Sequence, residues 1–147
     1  MPSEIAAEAL HYALSVEGAP YSWGGNGPAE FDCSGLIVWS YRQAYPDLMF
    51  RIGRKKVVDV SMDDIYNYNT VPILPSQLSP GDIVFITSSE STITHGGLFI
   101  QWIDESSFRF INASSNNHNA VVIDVWPING TVREQWFAGA GRLQTVL

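Results

Sequence analysis

Cys33 is the only cysteine in the chain and stands in "EFDCSGLIVWSYRQAY", residues 30–45. Asp32 before it is a good N-cap residue, so Cys33 falls in the first turn of a helix. The positive end of a helix favours thiolate over thiol, and the thiolate is the nucleophile. The expectation is a thiol of lowered pKa that alkylates near pH 6. Free backbone N–H groups in the same turn can bind an oxyanion. Gly35 lets a neighbouring strand or a substrate approach closely. A buried cysteine on an apolar helix face accounts for this segment equally well. The choice depends on whether the chain also carries a base.

Three histidines are available. His11 lies in an N-terminal helix beside Tyr12, and His118 lies in the polar run "SSNNHNA". His95 stands between the turn-like "SSESTIT" and the apolar "GGLFI", so it begins a rigid strand. The two glycines after it are expected to leave room beside its ring. An imidazole base needs a third group to fix its tautomer and orientation. Asn112, in "FINAS", offers an amide on the next strand. If the two strands pair across "DESS", arms of matching length bring His95 and Asn112 side by side. Taken alone, His95 reads better as a strand-end histidine with a satisfied hydrogen bond, and Asn112 as a turn residue. Together with Cys33 they form the order Cys, His, Asn used by cysteine peptidases.

These residues require a particular set of elements. Ser3 can cap a first helix in which Ile5, Ala9, Tyr12, Ala13 and Val16 recur at helical spacing, with Gly18 as its stop. "GAPYSWGGNGPAEF" must be a loop. The Cys33 helix runs to about Tyr45, where Pro46 ends it. Arg51, Arg54, Lys55 and Lys56 read as a solvated loop. Ser61 with Asp64 resembles a capping box for a short helix through about Tyr68. Pro72, Pro75 and Pro80 break the chain after that. "SPGD" is a turn, and "DIVFIT", "THGGLFIQWI", "FRFINA", "AVVIDVW" and "WFAGAGRLQ" are strands. Helices first and antiparallel strands after predict an α+β domain.

Length and composition agree with this. With 147 residues, 46% of them hydrophobic, and eighteen aromatic side chains, the chain predicts one domain, 1–147, with a sizeable core. A net charge of −7 gives it no electrostatic reason to seek nucleic acid or anionic lipid. No apolar run approaches a membrane span. The N-terminal residues lack the pattern of a secretory leader, and the compartment stays open. One cysteine forbids an internal disulfide, and the histidines have no metal-ligand spacing, so neither a metal nor another cofactor is expected.

"PYSWGGNGPAEFDCSGL", followed by "LSPGDIVFI", "THGGLFI" and "FINAS", resembles the NlpC family of bacterial cell-wall peptidases. The resemblance runs from about Ala9 to Arg142. It implies a compact papain-like fold of N-terminal helices packed on an antiparallel sheet. It also implies cleavage of peptidoglycan stem peptides, often between D-γ-glutamate and the diamino acid that follows. By motif, Cys33 resembles the nucleophile, His95 the base and Asn112 the third polar residue. That third residue is often histidine in the family. The Asn112 side-chain carbonyl keeps an acceptor there, so activity is expected to survive.

Further roles follow from the same resemblance. Tyr21 matches a tyrosine whose hydroxyl joins the Cys33 N–H at the oxyanion site. Asp32 and Ser34 match residues at the substrate end of the groove, where a free amine is held. Trp23 is counted with the substrate-binding residues, either lining the groove or, as the expectation for so large a ring, packed under the loop. Residues 47–70 are expected to frame one side of the groove. The expected partner is a peptidoglycan stem peptide met by a monomer, and no inhibitor protein is indicated. An amidase or acyltransferase on the same fold, and a silent binding module, are the alternatives. A complete Cys-His-Asn set weighs against the silent module.

Overall fold

The computed structural model describes residues 3–144. Helix α1 spans Ser3–Ser15 and α2 spans Cys33–Ala44. The expected capping by Ser3 falls on a side chain outside the described residues. Gly18, three residues beyond α1, takes φ +92° and turns the chain into the glycine-rich loop. A small hairpin follows, formed by β1 (Phe50–Ile52) and β2 (Lys55–Val57). Helix α3 is a single turn, Met62–Asp64, continued by a wider π-type turn over Ile65–Asn69. The remaining strands are β3 (Thr70–Ile73), β4 (Ile83–Thr87), β5 (His95–Trp102), β6 (Ser107–Ser114), β7 (Ala120–Pro127), β8 (Thr131–Val132) and β9 (Gln135–Leu143).

Strands β3 to β9 make one antiparallel sheet in the order β3-β9-β4-β5-β6-β7, with β8 paired to β9. The fold is α+β, as the order of the elements predicts. The sheet is covered on both faces. One face packs Phe85, Leu98, Ile111 and Ala113 against Leu36, Ile37 and Tyr41 of α2 and Ala9 and Ala13 of α1. The other carries Phe99, Phe108, Phe110 and Trp126, a run of edge-to-face and tilted rings.

Alanines at 6, 9 and 13 let α1 come close to its neighbours. A Cβ on Gly81, which has φ +91°, would collide with the Ala6 carbonyl. The Tyr41 hydroxyl donates to the Gly81 carbonyl at 2.6 Å, so the "SPGD" turn is fastened to both helices. Asp82, next in the chain, is 1% exposed. It accepts from Arg142 Nε and Nη2 at 3.1 and 2.8 Å and from the Ser79 N–H at 2.8 Å. Arg142→Ala would strand this carboxylate in the core. The expected cost is about 3 kcal/mol, the lower end for breaking a buried pair because the guanidinium is half exposed. Urea unfolding measures it, and a loss well under 1 kcal/mol would mean that other groups satisfy Asp82.

Residues 47–73 depart most from expectation. The basic cluster is a hairpin rather than a loop, although its side chains remain exposed. It is held by Asn69, whose side chain accepts from the Arg51 N–H and donates to the Arg51 carbonyl, both at 2.9 Å. The Ser61–Asp64 capping box is present, but the helix it starts widens at Ile65. Pro72 does not simply break the chain. It lies in β3, at the sheet edge, where a missing N–H is tolerated.

Candidate active site

The glycine-rich loop before α2 is a built structure. Phe31 is fully buried and stands edge-on to Trp39, pinning the far end of the loop. Asp32 N donates to the Gly25 carbonyl at 2.9 Å, and Ser22 N to the Phe31 carbonyl at 3.0 Å. Asp32 then caps α2. Its Oδ1 accepts from Gly35 N at 2.6 Å and from Ser34 Oγ at 3.2 Å, while Oδ2 accepts from Gly24 N at 3.1 Å. One carboxylate thus fixes the loop, the helix start and the position of Cys33 between them. Gly35 is required by the loop, not by a strand or a substrate: a Cβ there would meet the Gly25 carbonyl.

Cys33 is a free, half-buried thiol at the first position of α2. The sequence-based expectation of a lowered pKa is not met. Burial first, and the Asp32 carboxylate second, push the thiol up to about 12, against the lowering by the backbone N–H groups of Ser34 and Cys33. Half an elementary charge at a helix end does not offset burial and a full negative charge next door. At neutral pH the Cys33 side chain rests as a thiol.

His95 opens β5, and Asn112 lies fully buried on β6. His95 Nε2 and Asn112 Oδ1 are 2.6 Å apart. The Asn112 amide group is oriented by what surrounds it. Nδ2 donates to the Val122 carbonyl and to Asp124 Oδ2, both at 3.1 Å, so both of its hydrogens are placed. Oδ1 therefore faces the ring as an acceptor, and Nε2 carries the proton. Nδ1 is the one imidazole nitrogen left for Cys33 or a substrate. Burial lowers the His95 pKa. The Asn112 hydrogen bond and the Asp124 charge raise it in part, and Arg133 opposes them. His95 rests neutral and lines the same cavity as the neutral thiol.

The glycines after His95 do not leave space beside the ring. A Cβ on Gly96 would meet the Met62 side chain and the Val84 carbonyl, and one on Gly97 the Ile111 carbonyl and the Phe110 ring. Their absent side chains allow β4, β5 and β6 to approach closely enough for the His95–Asn112 contact.

A cavity of about 510 Å³ gathers most of the other expected residues. Tyr21, Trp23, Asp32, Cys33, Ser34 and His95 all line it, with Asn112 behind the imidazole. Burial, then the proximity of Cys33 and Asp32, raise the Tyr21 pKa, so its phenol stays a donor. Ser34 Oγ is spent on Asp32. Trp23 does not pack under the loop: it is 89% exposed at the rim. Asp59, Val60, Ser61, Met62 and Asp64 form another wall, with Asp59 and Asp64 adding carboxylates. His11 and His118 are exposed and do not line this cavity.

Three residues around Asn112 were not anticipated. Asp124 on β7 accepts from Asn112 and, at 2.8 Å, from Asn117 Nδ2, and Arg133 lies 3.6 Å from it. The signal for Asp124 was a lone carboxylate in "AVVIDVW", in step with the buried Trp126. Nothing in the sequence signals Asn117 or Arg133.

Comparison with known proteins gives a concordant result. Residues 18–142 match the model of the NlpC/P60 family. The "Probable endopeptidase p60" of Listeria monocytogenes is 31% identical over 126 residues, covering 86% of this chain and 22% of that protein. The "Murein DD-endopeptidase MepH" of Escherichia coli is 27% identical over 140 residues, 93% of this chain and 45% of the relative. The chain thus spans from about a fifth to under half of these relatives. Among solved structures, NlpC2 from Trichomonas vaginalis superposes with a TM-score of 0.67 at 21% identity, over 97% of this chain and 47% of that one, a likeness of fold. The match to the family model takes in the loop, the α2 start, both strands of the His95–Asn112 pair and the Asp82 turn, and the chain belongs to the NlpC/P60 family.

Proposed function

We propose that this chain is a cysteine peptidase of peptidoglycan, cutting an amide of the stem peptide, with the D-γ-glutamyl–diamino acid bond as its target. The observation that carries the reading is the 2.6 Å contact between His95 Nε2 and Asn112 Oδ1, made beside a cavity that also holds the one thiol of the chain. The names of the relatives, endopeptidase p60 and murein DD-endopeptidase, support the substrate class.

The chemistry then follows from the resting state. His95 Nδ1 takes the Cys33 proton as Sγ attacks the carbonyl carbon, because a thiol pushed up to about 12 supplies little thiolate in advance. The Cys33 N–H and the Tyr21 hydroxyl donate to the oxyanion. The imidazolium, held by Asn112, passes its proton to the leaving amine, the C–N bond breaks, and a thioester remains. A water then gives a proton to His95 and attacks the thioester, and Sγ leaves with the proton returned. Asp32, with Asp59 and Asp64 across the cavity, gives an acidic setting for an ammonium on the substrate.

The similarity to MepH favours one second reading, in which the scissile amide lies in a DD cross-link. Incubating purified sacculi with the protein, followed by mass spectrometry of the released fragments, separates the two. Fragments ending in D-γ-glutamate are expected. Separation of cross-linked dimers into intact monomers would replace the first reading with the second, and no release would sink both.

A further inference from the structure

Behind the His95–Asn112 pair lies a carboxylate that the chemistry above does not use. Asp124 is 8% exposed and lies on β7, where its strand neighbours Ile123 and Val125 point outward. Asp124 Oδ2 accepts from Asn112 Nδ2 at 3.1 Å, and Oδ1 from Asn117 Nδ2 at 2.8 Å. Arg133 Nη2 lies 3.6 Å from Oδ2, with its guanidinium 5.4 Å from the Trp126 ring centroid. Two turns of unusual backbone flank these contacts. His118 and Asn119, just after Asn117, have φ of 60° and 52°, and Arg133 and Glu134 have φ of 49° and 65°. Four non-glycine residues in the left-handed region are costly, and such strain persists only where the surroundings hold it.

We propose that Asp124 is a positioning residue that locks the Asn112 carboxamide with its oxygen toward His95. The inference rests on the peptidase reading of the same site. A carboxamide is nearly symmetric in shape, and a half-turn exchanges Oδ1 and Nδ2. The flipped amide would present Nδ2–H to His95 Nε2, which would then have to accept. The imidazole proton would move to Nδ1, the nitrogen that must take the Cys33 proton, and the base would be disabled. The flip is opposed on the other side of the amide. There Oδ1 would face the Val122 carbonyl and the Asp124 carboxylate, acceptor against acceptor. Val122 supplies a neutral acceptor, and Asp124 a charged one, which roughly doubles the strength of such a bond. Asn117 and Arg133 in turn keep Asp124 aimed at Asn112. The charged and polar groups facing His95 from behind are then Asn112 on β6, Asp124 on β7 and Arg133 after β8, so removing Asp124 also leaves Arg133 to act alone on the imidazolium.

Two readouts on the whole chain test this, and one of them needs no substrate. Long-range ¹⁵N–¹H correlation spectra at pH above 7 report the tautomer of neutral His95, with His11 and His118 as exposed internal references. The native protein is expected to show the Nε2–H form, and Asp124→Ala a substantial Nδ1–H population. In the release of fragments from sacculi, Asp124→Ala is expected to lower kcat about 10- to 100-fold, the range for groups that orient an active-site imidazole from behind, with KM little changed. Asp124→Asn keeps the side-chain volume and guards against a folding failure. Its carboxamide can accept from Asn112 only by placing its own Nδ2 where Oδ1 stood, toward Asn117, donor against donor. A smaller loss of the same kind is expected from it. If both variants keep the Nε2–H tautomer and the native kcat, the proposal is overturned. A fall in rate that only tracks the folded fraction, with the tautomer unchanged, overturns it equally. If the native protein releases nothing while Asp124→Ala still shifts the tautomer, the peptidase reading fails and the positioning role stands.

Discussion

Cys33→Ala is expected to abolish the release of soluble fragments from sacculi, with a fall in rate on the order of 10⁴ to 10⁶. The size follows from the role. Without Sγ no thioester forms, and the oxyanion donors and the cavity alone supply only what binding and polarisation can. The fold should be unaffected. Alanine is a good residue for a first helical turn, and the cap does not use the thiol: Asp32 holds Gly35 N, Ser34 Oγ and Gly24 N through its own oxygens. The thiol is half buried, so the lost packing is within about 1 kcal/mol. A melting temperature close to the native value, together with the lost rate, assigns the effect to chemistry. Equal release by the two proteins would remove Cys33 from the mechanism. A companion measurement concerns the resting thiol. Alkylation by iodoacetamide is expected to be slow at pH 6 and to climb with pH, since the thiol is pushed up to about 12. Rapid alkylation at pH 6 would restore the helix-end thiolate that the local sequence suggests.

The difference between those two expectations marks where the sequence stops being legible. The start of α2 could be read because capping is local: Asp32 and Gly35 are three residues apart, and the bond between them defines the helix end. The hairpin that pairs His95 with Asn112 could be read because turn and strand signals alternate cleanly on both sides of "DESS". The pKa of Cys33 could not. It depends on how deeply the fold buries the thiol, which is a property of packing, set by residues far along the chain. The same is true of Trp23. Its ring reads as core material until the loop turns it outward to 89% exposure. Residues 50–73 defeated a local reading for another reason. β1 and β3 owe their pairing to Asn69 and to β9, partners whose register no nearby residue announces. Arg133 is the extreme case. It reaches Asp124 only because two residues after β8 adopt positive φ without a glycine to advertise the turn.

His95→Ala is expected to reduce turnover at neutral pH nearly as far as Cys33→Ala, and its pH dependence gives the sharper test. In the native protein burial holds the His95 pKa below its ordinary 6.5. In the proposed chemistry the neutral imidazole is the active form, so kcat/KM should fall as pH drops through that lowered value and stay level through neutral pH. Without the imidazole, the only nucleophile is thiolate formed in advance. For a thiol pushed up to about 12, the thiolate fraction at pH 7 is about 10⁻⁵, and it rises tenfold with each pH unit. The residual rate of His95→Ala should therefore lose its acid limb and climb steadily into alkaline solution. The loss near pH 7 should fall on the order of 10⁴ to 10⁶, the range seen when a nucleophile's base is removed. His95→Ala also leaves Asn112 Oδ1 buried without its donor, a cost of about 1–3 kcal/mol that could be mistaken for a catalytic effect. His95→Gln separates the two, because its amide can still donate to Oδ1 while offering no lone pair basic enough to take the thiol proton. Restored stability with an unrestored rate would place the proton transfer on His95. An acid limb that survived in both variants would move the base to another group in the cavity, with the Asp59 and Asp64 carboxylates the next to be removed.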